Sequence, residues 1–318
     1  MSEGRAVLLV AHVLRQEAVD SARQVAGRLL EAGITVHTPA AELDAVGVPG
    51  VAVAPEDGDA GYELAVVLGG DGTLLRAAEL TRGTGTPLLG VNLGHVGFLA
   101  EAEREELSQV VDRVTKRDYD VEERMTIDVC VKVDGRQTAS TWALNEASVE
   151  KAERERMLEV IAEVDGRPLS RWGCDGVVCA TPTGSTAYAF SAGGPVVWPE
   201  VAALVMIPIS AHALFARPLV VSPDSVLAVE VQSLPHSRGA THGVLWCDGR
   251  RSFPLPAGAR VEVRRGVEPV RFARLHRAPF TDRLVRKFEL PVRGWRGAAA
   301  ARGDVNTGKT HGEPKPES

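Results

Sequence analysis

A chain of 318 residues with 44% hydrophobic and 25% charged residues has the composition of an ordinary globular protein of about two domains. A formal net charge of −6 argues against a non-specific nucleic-acid partner, and no stretch approaches the ~20 apolar residues of a membrane span. Four cysteines (Cys130, Cys174, Cys179, Cys247) without CxxC spacing read as reduced thiols of a cytoplasmic protein, not as a disulfide frame.

Along the chain, the apolar run 6–10 is too short for a secretory signal, is followed by Arg15 and Glu17, and is expected as the first core strand. Residues 14–31 place Leu14, Ala18, Ala22, Val25, Ala26 and Leu29 on one helical face, and Gly33 ends that helix. A strand at 34–36 follows. Residues 40–61, rich in Ala, Pro, Gly and Asp, are expected as an irregular, mobile surface loop. Then come a strand at 64–68, a helix over about 73–82 and a strand at 87–91. After a turn punctuated by Gly90, Gly94 and Gly97, a helix near 103–116 carries Leu107, Val110, Val111 and Val114 on one side. Nearly continuous apolar strands alternating with helices indicate an α/β domain with a parallel, Rossmann-like sheet, in which ligands bind at the carboxyl ends of the strands.

The pattern changes after Asp120. Met125, Ile127, Val129, Val131 and Val133 alternate with polar residues, and similar runs recur at 158–164, 226–231 and 260–264. Asp134-Gly135, Asp165-Gly166 and Asp248-Gly249 are hairpin-turn signals. The expected organisation is an α/β domain over 1–123, joined by a returning segment at 275–293, and an all-β domain over 124–274. The segment 279–290 is expected as a short helix or extended piece packing back on the first domain. A disordered tail over 294–318 has no apolar period.

The segment that carries most chemistry is Gly69-Gly70-Asp71-Gly72-Thr73, at the end of the apolar strand and ahead of a helical pattern. Gly70 and Gly72 let a ligand approach the backbone, and the following helix end attracts an anion. Two readings stand: a phosphate cradle with one carboxylate inside it, which points to phosphoryl transfer, or a tight turn with Asp71 as the helix N-cap. A second glycine motif, Gly303–Thr310, matches the P-loop pattern letter for letter. It lacks a strand before it and, with Pro314 and Pro316 close behind, a helix after it, so it is rejected. The Arg302-Gly303-Asp304 tripeptide is set aside with it.

Three further segments narrow the reading. They are Leu144-Asn145-Glu146, then Gly173-Cys174-Asp175-Gly176-Val177, then the long run Thr181-Pro182-Thr183-Gly184-Ser185-Thr186-Ala187-Tyr188-Ala189-Phe190-Ser191-Ala192-Gly193-Gly194-Pro195. Asn145 both donates and accepts and Glu146 accepts, which suits ribose hydroxyls or a base edge; the plain alternative is a strand-end turn. The 181–195 run combines hydroxyls, glycines and the Tyr188 ring, a composition suited to a nucleotide. Asp175 before Gly176 also fits a type I′ turn. Together with Gly69–Thr73 and Val91-Asn92-Leu93-Gly94-His95-Val96-Gly97-Phe98-Leu99, these segments closely resemble the NAD kinase family, in order from about residue 5 to 295. The excess of Arg over Lys points to a GC-rich, actinobacterial-like member.

The resemblance implies transfer of the γ-phosphoryl of ATP to the 2′-hydroxyl of the adenosine ribose of NAD, giving NADP. It implies Mg²⁺, or another divalent metal, held mainly by the donor phosphates with no dedicated protein ligands. Asp71 matches the general base. Gly69, Gly70, Gly72 and Thr73 match the donor-phosphate loop. Arg76, one helical turn on, matches a nucleotide contact, with a solvated surface arginine as the alternative. Asn145 and Glu146 match the pair that grips the dinucleotide, and Arg156 a basic position near the substrate phosphates. Asp175, Thr186, Ala187, Tyr188 and Ser191 match positions around adenine and ribose, with Thr183 and Ser210 as weaker matches. The family also implies a homodimer or homotetramer. Lipid or sugar kinases share the acidic glycine loop, and a non-catalytic dinucleotide sensor is a third reading. The Asn145-Glu146 pair and the 181–195 run speak against the first rival, and the retained Asp71 against the second.

Overall fold

The computed structural model describes residues 4–55, 61–93, 97–100, 102–103, 106–153, 157–232, 241–275 and 279–292. Strands and helices alternate first: β1 (Ala6–Ala11), α1 (Gln16–Glu31), β2 (Thr35–Thr38), α2 (Ala40–Val46), β3 (Ala52–Val53), β4 (Leu64–Leu68), α3 (Asp71–Leu80), β5 (Leu88–Asn92), β6 (Ala102–Glu103), α4 (Leu107–Lys116) and β7 (Asp120–Arg124). The chain continues through β8 (Ile127–Val133), β9 (Arg136–Ala143), β10 (Glu146–Lys151), β11 (Leu158–Val164), β12 (Arg167–Cys174), β13 (Gly176–Ala180), α5 (Tyr188–Ser191), β14 (Leu204–Ile209) and β15 (Leu219–Val221). It closes with β16 (Leu227–Val231), β17 (Thr241–Cys247), β18 (Arg251–Pro256), β19 (Arg260–Arg265), β20 (Val270–Arg274) and α6 (Phe280–Phe288).

The apolar runs become the centre of the first sheet, in the order β3-β2-β1-β4-β5-β20-β7 with β6 beside β5. All but the β20–β7 pair are parallel. Every residue of β4 and β5 is buried, because helices cover both faces. On one face Ala18, Val25 and Leu29 of α1 meet Val110, Val111 and Val114 of α4. On the other, Leu74, Leu75 and Ala78 of α3 pack on Leu8, Val10 and Val67. The alternating half folds into two antiparallel sheets, β15-β14-β13-β10-β17-β18 and β12-β11-β16-β19-β8-β9. Val149, Val177 and Leu245 of one share a core with Ile127, Trp172 and Val229 of the other. All three Asp-Gly hairpin turns have both residues at left-handed φ, as the primed turn requires.

Three sequence expectations change. The stretch expected as a mobile loop at 40–61 contains α2 and β3. Pro39 precedes α2, and Gly47 closes it at φ 56, a start and stop that a composition-based reading passed over. Leu14, counted on the buried face of α1, is 90% exposed, since the helix begins only at Gln16. Strand 270–274, which the expected 124–274 boundary includes in the β domain, lies in the first sheet. Phe272 pairs with Leu88 and is fully buried beside α3. The return to the first sheet therefore comes a few residues before the expected 275.

Residues 280–288 are helical, one of the two alternatives expected there. The tail from 294, with its P-loop-like match, lies outside the described residues, as does Arg156.

Candidate active site

At the end of β4 the chain turns sharply into α3. Gly69 has φ 156, and a Cβ on it would collide with the Thr73 hydroxyl, so glycine is required. Gly70 is the N-cap and offers no side chain; Asp71 is the first helical residue. The N-cap reading of Asp71 therefore falls. Its carboxylate turns toward the loop after β5 instead, where Oδ2 accepts the Phe98 N–H at 3.3 Å and Oδ1 accepts the Leu99 N–H at 3.2 Å. Gly97 permits this approach, because a Cβ there would collide with Oδ1. Each carboxylate oxygen has about two acceptor positions, so both keep capacity for a further proton donor.

In front of this turn lies a cavity of about 510 Å³, lined by His12, Arg15, Gly72, Thr73, Arg76 and Arg250 among others. The positive end of α3 adds to its attraction for anions. Arg76 is not a solvated surface arginine. Its Nη2 donates to Ala11 O at 3.1 Å and pairs with Glu42, whose side chain is fully buried. Glu42 also accepts the Ala11 N–H at 2.6 Å. Burial pushes the Glu42 carboxyl above its ordinary pKa, with the Ala11 N–H and Arg76 pulling the other way. The sequence gives no signal for Glu42, because its segment reads there as a loop.

Asn145 and Glu146 stand where β10 begins, each 7% exposed. The residue that holds them is Asp248. Its carboxylate accepts the N–H groups of Leu144 at 2.9 Å, Asn145 at 2.7 Å and Glu146 at 3.3 Å. The sequence shows Asp248 only as a turn signal, and it is that too, at φ 53. Among the described residues, Glu146 Oε2 is buried with no hydrogen-bond partner. Burial pushes the Glu146 carboxyl up to about 8; Asp248 and Glu150 push the same way, and only the Tyr188 N–H opposes them. The site thus favours the protonated form of Glu146, which can donate as well as accept.

The 181–195 run is anchored to this pair. Thr181 N–H donates to Asn145 O at 2.9 Å, its hydroxyl donates to Leu144 O at 2.6 Å, and a Cβ on Gly184 would collide with Asn145 O. Ser185 donates to Pro182 O at 2.7 Å and accepts the Val197 N–H at 2.9 Å, and Thr186 donates to Thr183 O at 3.2 Å. Part of the hydroxyl density that suggested a ligand therefore satisfies the loop's own backbone. Thr183 is buried, Ala187 is half-buried, and Tyr188 and Ser191 are exposed.

Asp175 makes no primed turn, since neither it nor Gly176 has left-handed φ. Its carboxylate pairs with Lys151 Nζ at 2.6 Å, which with the Ser210 hydroxyl holds it below the usual carboxylate range.

The two halves share packing. Leu144 lies in one buried cluster with Leu74, Leu75 and Ala78 of α3, so the residue before Asn145 and the helix headed by Asp71 share one core. Among the described residues, no group of three or more His, Cys, Asp or Glu side chains is arranged to hold a metal ion.

A glycine-rich anion loop with a held carboxylate, packed against a β domain that presents the buried polar pair Asn145 and Glu146, has the features of a protein that brings a polyphosphate to a hydroxyl-bearing ligand. The chain matches the ATP-NAD kinase N-terminal domain over residues 51–119 and the ATP-NAD kinase C-terminal domain over 144–275. It is 64% identical to an NAD kinase of Thermobifida fusca, covering 94% of this chain and 93% of that one. It is 63% identical to NAD kinase 2 of Streptomyces coelicolor, covering 92% and 97%. Among solved structures, an Archaeoglobus fulgidus NAD kinase in complex with ATP aligns with TM-score 0.67 at 25% identity, over 90% of this chain and 98% of that chain. A yeast NADH kinase complexed with NADH shares the fold with TM-score 0.83 at 24% identity, over 92% and 89%. The chain belongs to the NAD kinase family.

Proposed function

We propose that this protein phosphorylates NAD at the 2′-hydroxyl of its adenosine ribose, using ATP and producing NADP. The observation that carries the chemistry is the Asp71 carboxylate, fixed by two backbone N–H groups, between Gly70 and Gly72, which line a basic cavity. A ribose hydroxyl is a poor nucleophile at neutral pH, and a positioned carboxylate takes its proton as the phosphoryl group transfers. Positioning and electrostatic stabilisation supply most of the acceleration in such transfers. Gly69, Gly70, Gly72 and Thr73 cradle the donor phosphates, and Arg76, fixed by Glu42, faces them.

On the acceptor side, Asn145 and protonated Glu146 grip the dinucleotide. Asp175, Thr186, Ala187, Tyr188 and Ser191 surround adenine and ribose, with Thr183 and Ser210 in supporting places; Arg156 completes the set near the phosphates. The donor set at the loop, one carboxylate beside backbone N–H groups and arginines, suits a Mg²⁺ that arrives on the triphosphate. When bound, that ion neutralises phosphate charge. No lipid-, sugar- or sensor-type alternative gains support from the family matches.

Two further readings belong to this proposal. Phe190, Trp198, Val201 and Phe215 of the β domain are exposed large hydrophobics, which supports a homodimer or homotetramer. The four free thiols support a reducing cytoplasmic setting. The test is incubation of the purified chain with ATP, Mg²⁺ and NAD, with NADP read out by an NADP-specific dehydrogenase. Formation of NADP is expected, and its absence overturns the reading.

A further inference from the structure

The turn after β17 serves both halves of the site. Asp248 holds Leu144, Asn145 and Glu146, and two residues later Arg250 lines the cavity in front of Gly72, Thr73 and Arg76. We propose that Arg250, carried on a β-domain hairpin, is a ligand of the donor triphosphate. This rests on the reading of the cavity as the donor site of a kinase.

Three observations on its geometry carry the inference. First, the side chain is aimed rather than loose: Nε donates to Glu79 Oε2 at 3.0 Å, while Glu79 Oε1 faces Arg251 Nε at 3.1 Å. Arg251 in turn reaches Asp248 at 3.0 Å and stacks over the Trp142 ring. Glu79 stands on α3, so the same helix that presents Asp71 braces Arg250.

Second, that brace uses only Nε. Among the described residues, Nη1 and Nη2 of Arg250 make no hydrogen bond. Those two groups are the edge of a guanidinium that takes a phosphate in bidentate fashion.

Third, Arg76, which also lines the cavity, has its Nη2 engaged by buried Glu42 and by Ala11 O, whereas Arg250 is paired through Nε alone. A triphosphate entering the cavity therefore meets Arg250 as a donor whose terminal nitrogens have no acceptor among the described residues. One short turn then sets acceptor and donor together: Asp248 fixes the strand start that grips the dinucleotide, and Arg250 fixes the phosphates delivered to it.

The test uses the full chain and compares Arg250→Gln, Arg250→Lys and the parent protein. Gln keeps a donor toward Glu79 without the charge, and Lys keeps the charge without the fork. Arg250→Gln is expected to raise KM for ATP by about 10-fold or more, with KM for NAD within about 2-fold and an unchanged melting temperature. Arg250→Lys is expected to recover part of that loss. Calorimetric binding of inorganic tripolyphosphate, without turnover, is expected to weaken in the same order. If Arg250→Gln folds and both KM for ATP and tripolyphosphate affinity match the parent, the assignment is overturned. A fall in melting temperature with KM for ATP unmoved also overturns it, by making Arg250 a brace only. If the parent itself forms no NADP, it is the kinase reading that fails and this assignment with it; parent activity with an indifferent Arg250→Gln defeats the assignment alone.

Discussion

Gly97 lies against Asp71 so closely that there is no room for a methyl group between them. The glycine brings the Phe98 and Leu99 N–H groups to 3.3 and 3.2 Å from the carboxylate oxygens. Gly97→Ala is expected to push the carboxylate out of that cradle. Because the change is confined to a loop, turnover should drop by roughly 10-fold or more through misplacement, while the melting temperature moves by only a few degrees. Steady-state kinetics beside a thermal scan check this, and parent-like turnover would show that the cradle does not set the position of Asp71.

Asp71→Asn retains the shape of the side chain and removes its basicity. Turnover should fall by roughly two or more orders of magnitude if the carboxylate takes the ribose proton. NAD binding, measured by calorimetry, should survive. A variant with comparable turnover would refute the role.

Glu146 makes stability depend on pH. Its folded-state pKa of about 8 lies above its ordinary value of 4.5. The folded chain therefore binds a proton more tightly than the unfolded one. The stability linked to this group is fully present below about 4.5 and is lost progressively as pH rises to about 8. Glu146→Gln imitates the protonated form, so its melting temperature should decline less than the parent's between pH 5 and 9, in a ligand-free titration. The difference at the alkaline end is expected to be on the order of a few kcal/mol. Parallel curves would mean that Glu146 ionises normally.

Asp248→Ala leaves three buried N–H groups, those of Leu144, Asn145 and Glu146, without their acceptor. A loss of about 2–4 kcal/mol is expected, together with weaker NAD binding because the gripping pair loses its anchor. Asp248→Asn keeps one oxygen acceptor and should lie between. Chemical denaturation and NAD titration read the two effects separately. Undiminished NAD affinity in Asp248→Ala would remove the anchoring role.

Arg76→Ala strands Glu42, whose carboxylate is fully buried and whose other partner among the described residues is the Ala11 N–H. Destabilisation on the order of 2 kcal/mol is expected, below the usual figure for a broken buried pair because Arg76 is partly exposed. Arg76→Ala with Glu42→Gln should recover stability but not ATP affinity. Recovery of both would make Arg76 purely structural.

Much of this protein is legible along the chain. Continuous apolar runs such as 64–68, short and closed by glycines, read as strands buried on both faces. The periodic Leu107, Val110, Val111 and Val114 can only be one side of a helix, and the paired left-handed φ angles of the Asp-Gly turns follow from the residue types. The acidic glycine loop and the Asn145-Glu146 pair are likewise local, so their residues announce themselves. What the chain order hides is partnership at long range. Strand 270–274 alternates like its neighbours, yet joins the first sheet because Phe272 finds its burial beside α3. Glu42 and Arg76 are 34 residues apart, and Leu144 and Asp248 are 104 apart. Nothing in either segment names the other, since a buried carboxylate is satisfied by whatever donors the fold brings to it. The same is true of Asp71. Its sequence allows a helix cap, but its carboxylate is held instead by the Phe98 and Leu99 N–H groups, which reach it only once β4 and β5 lie side by side.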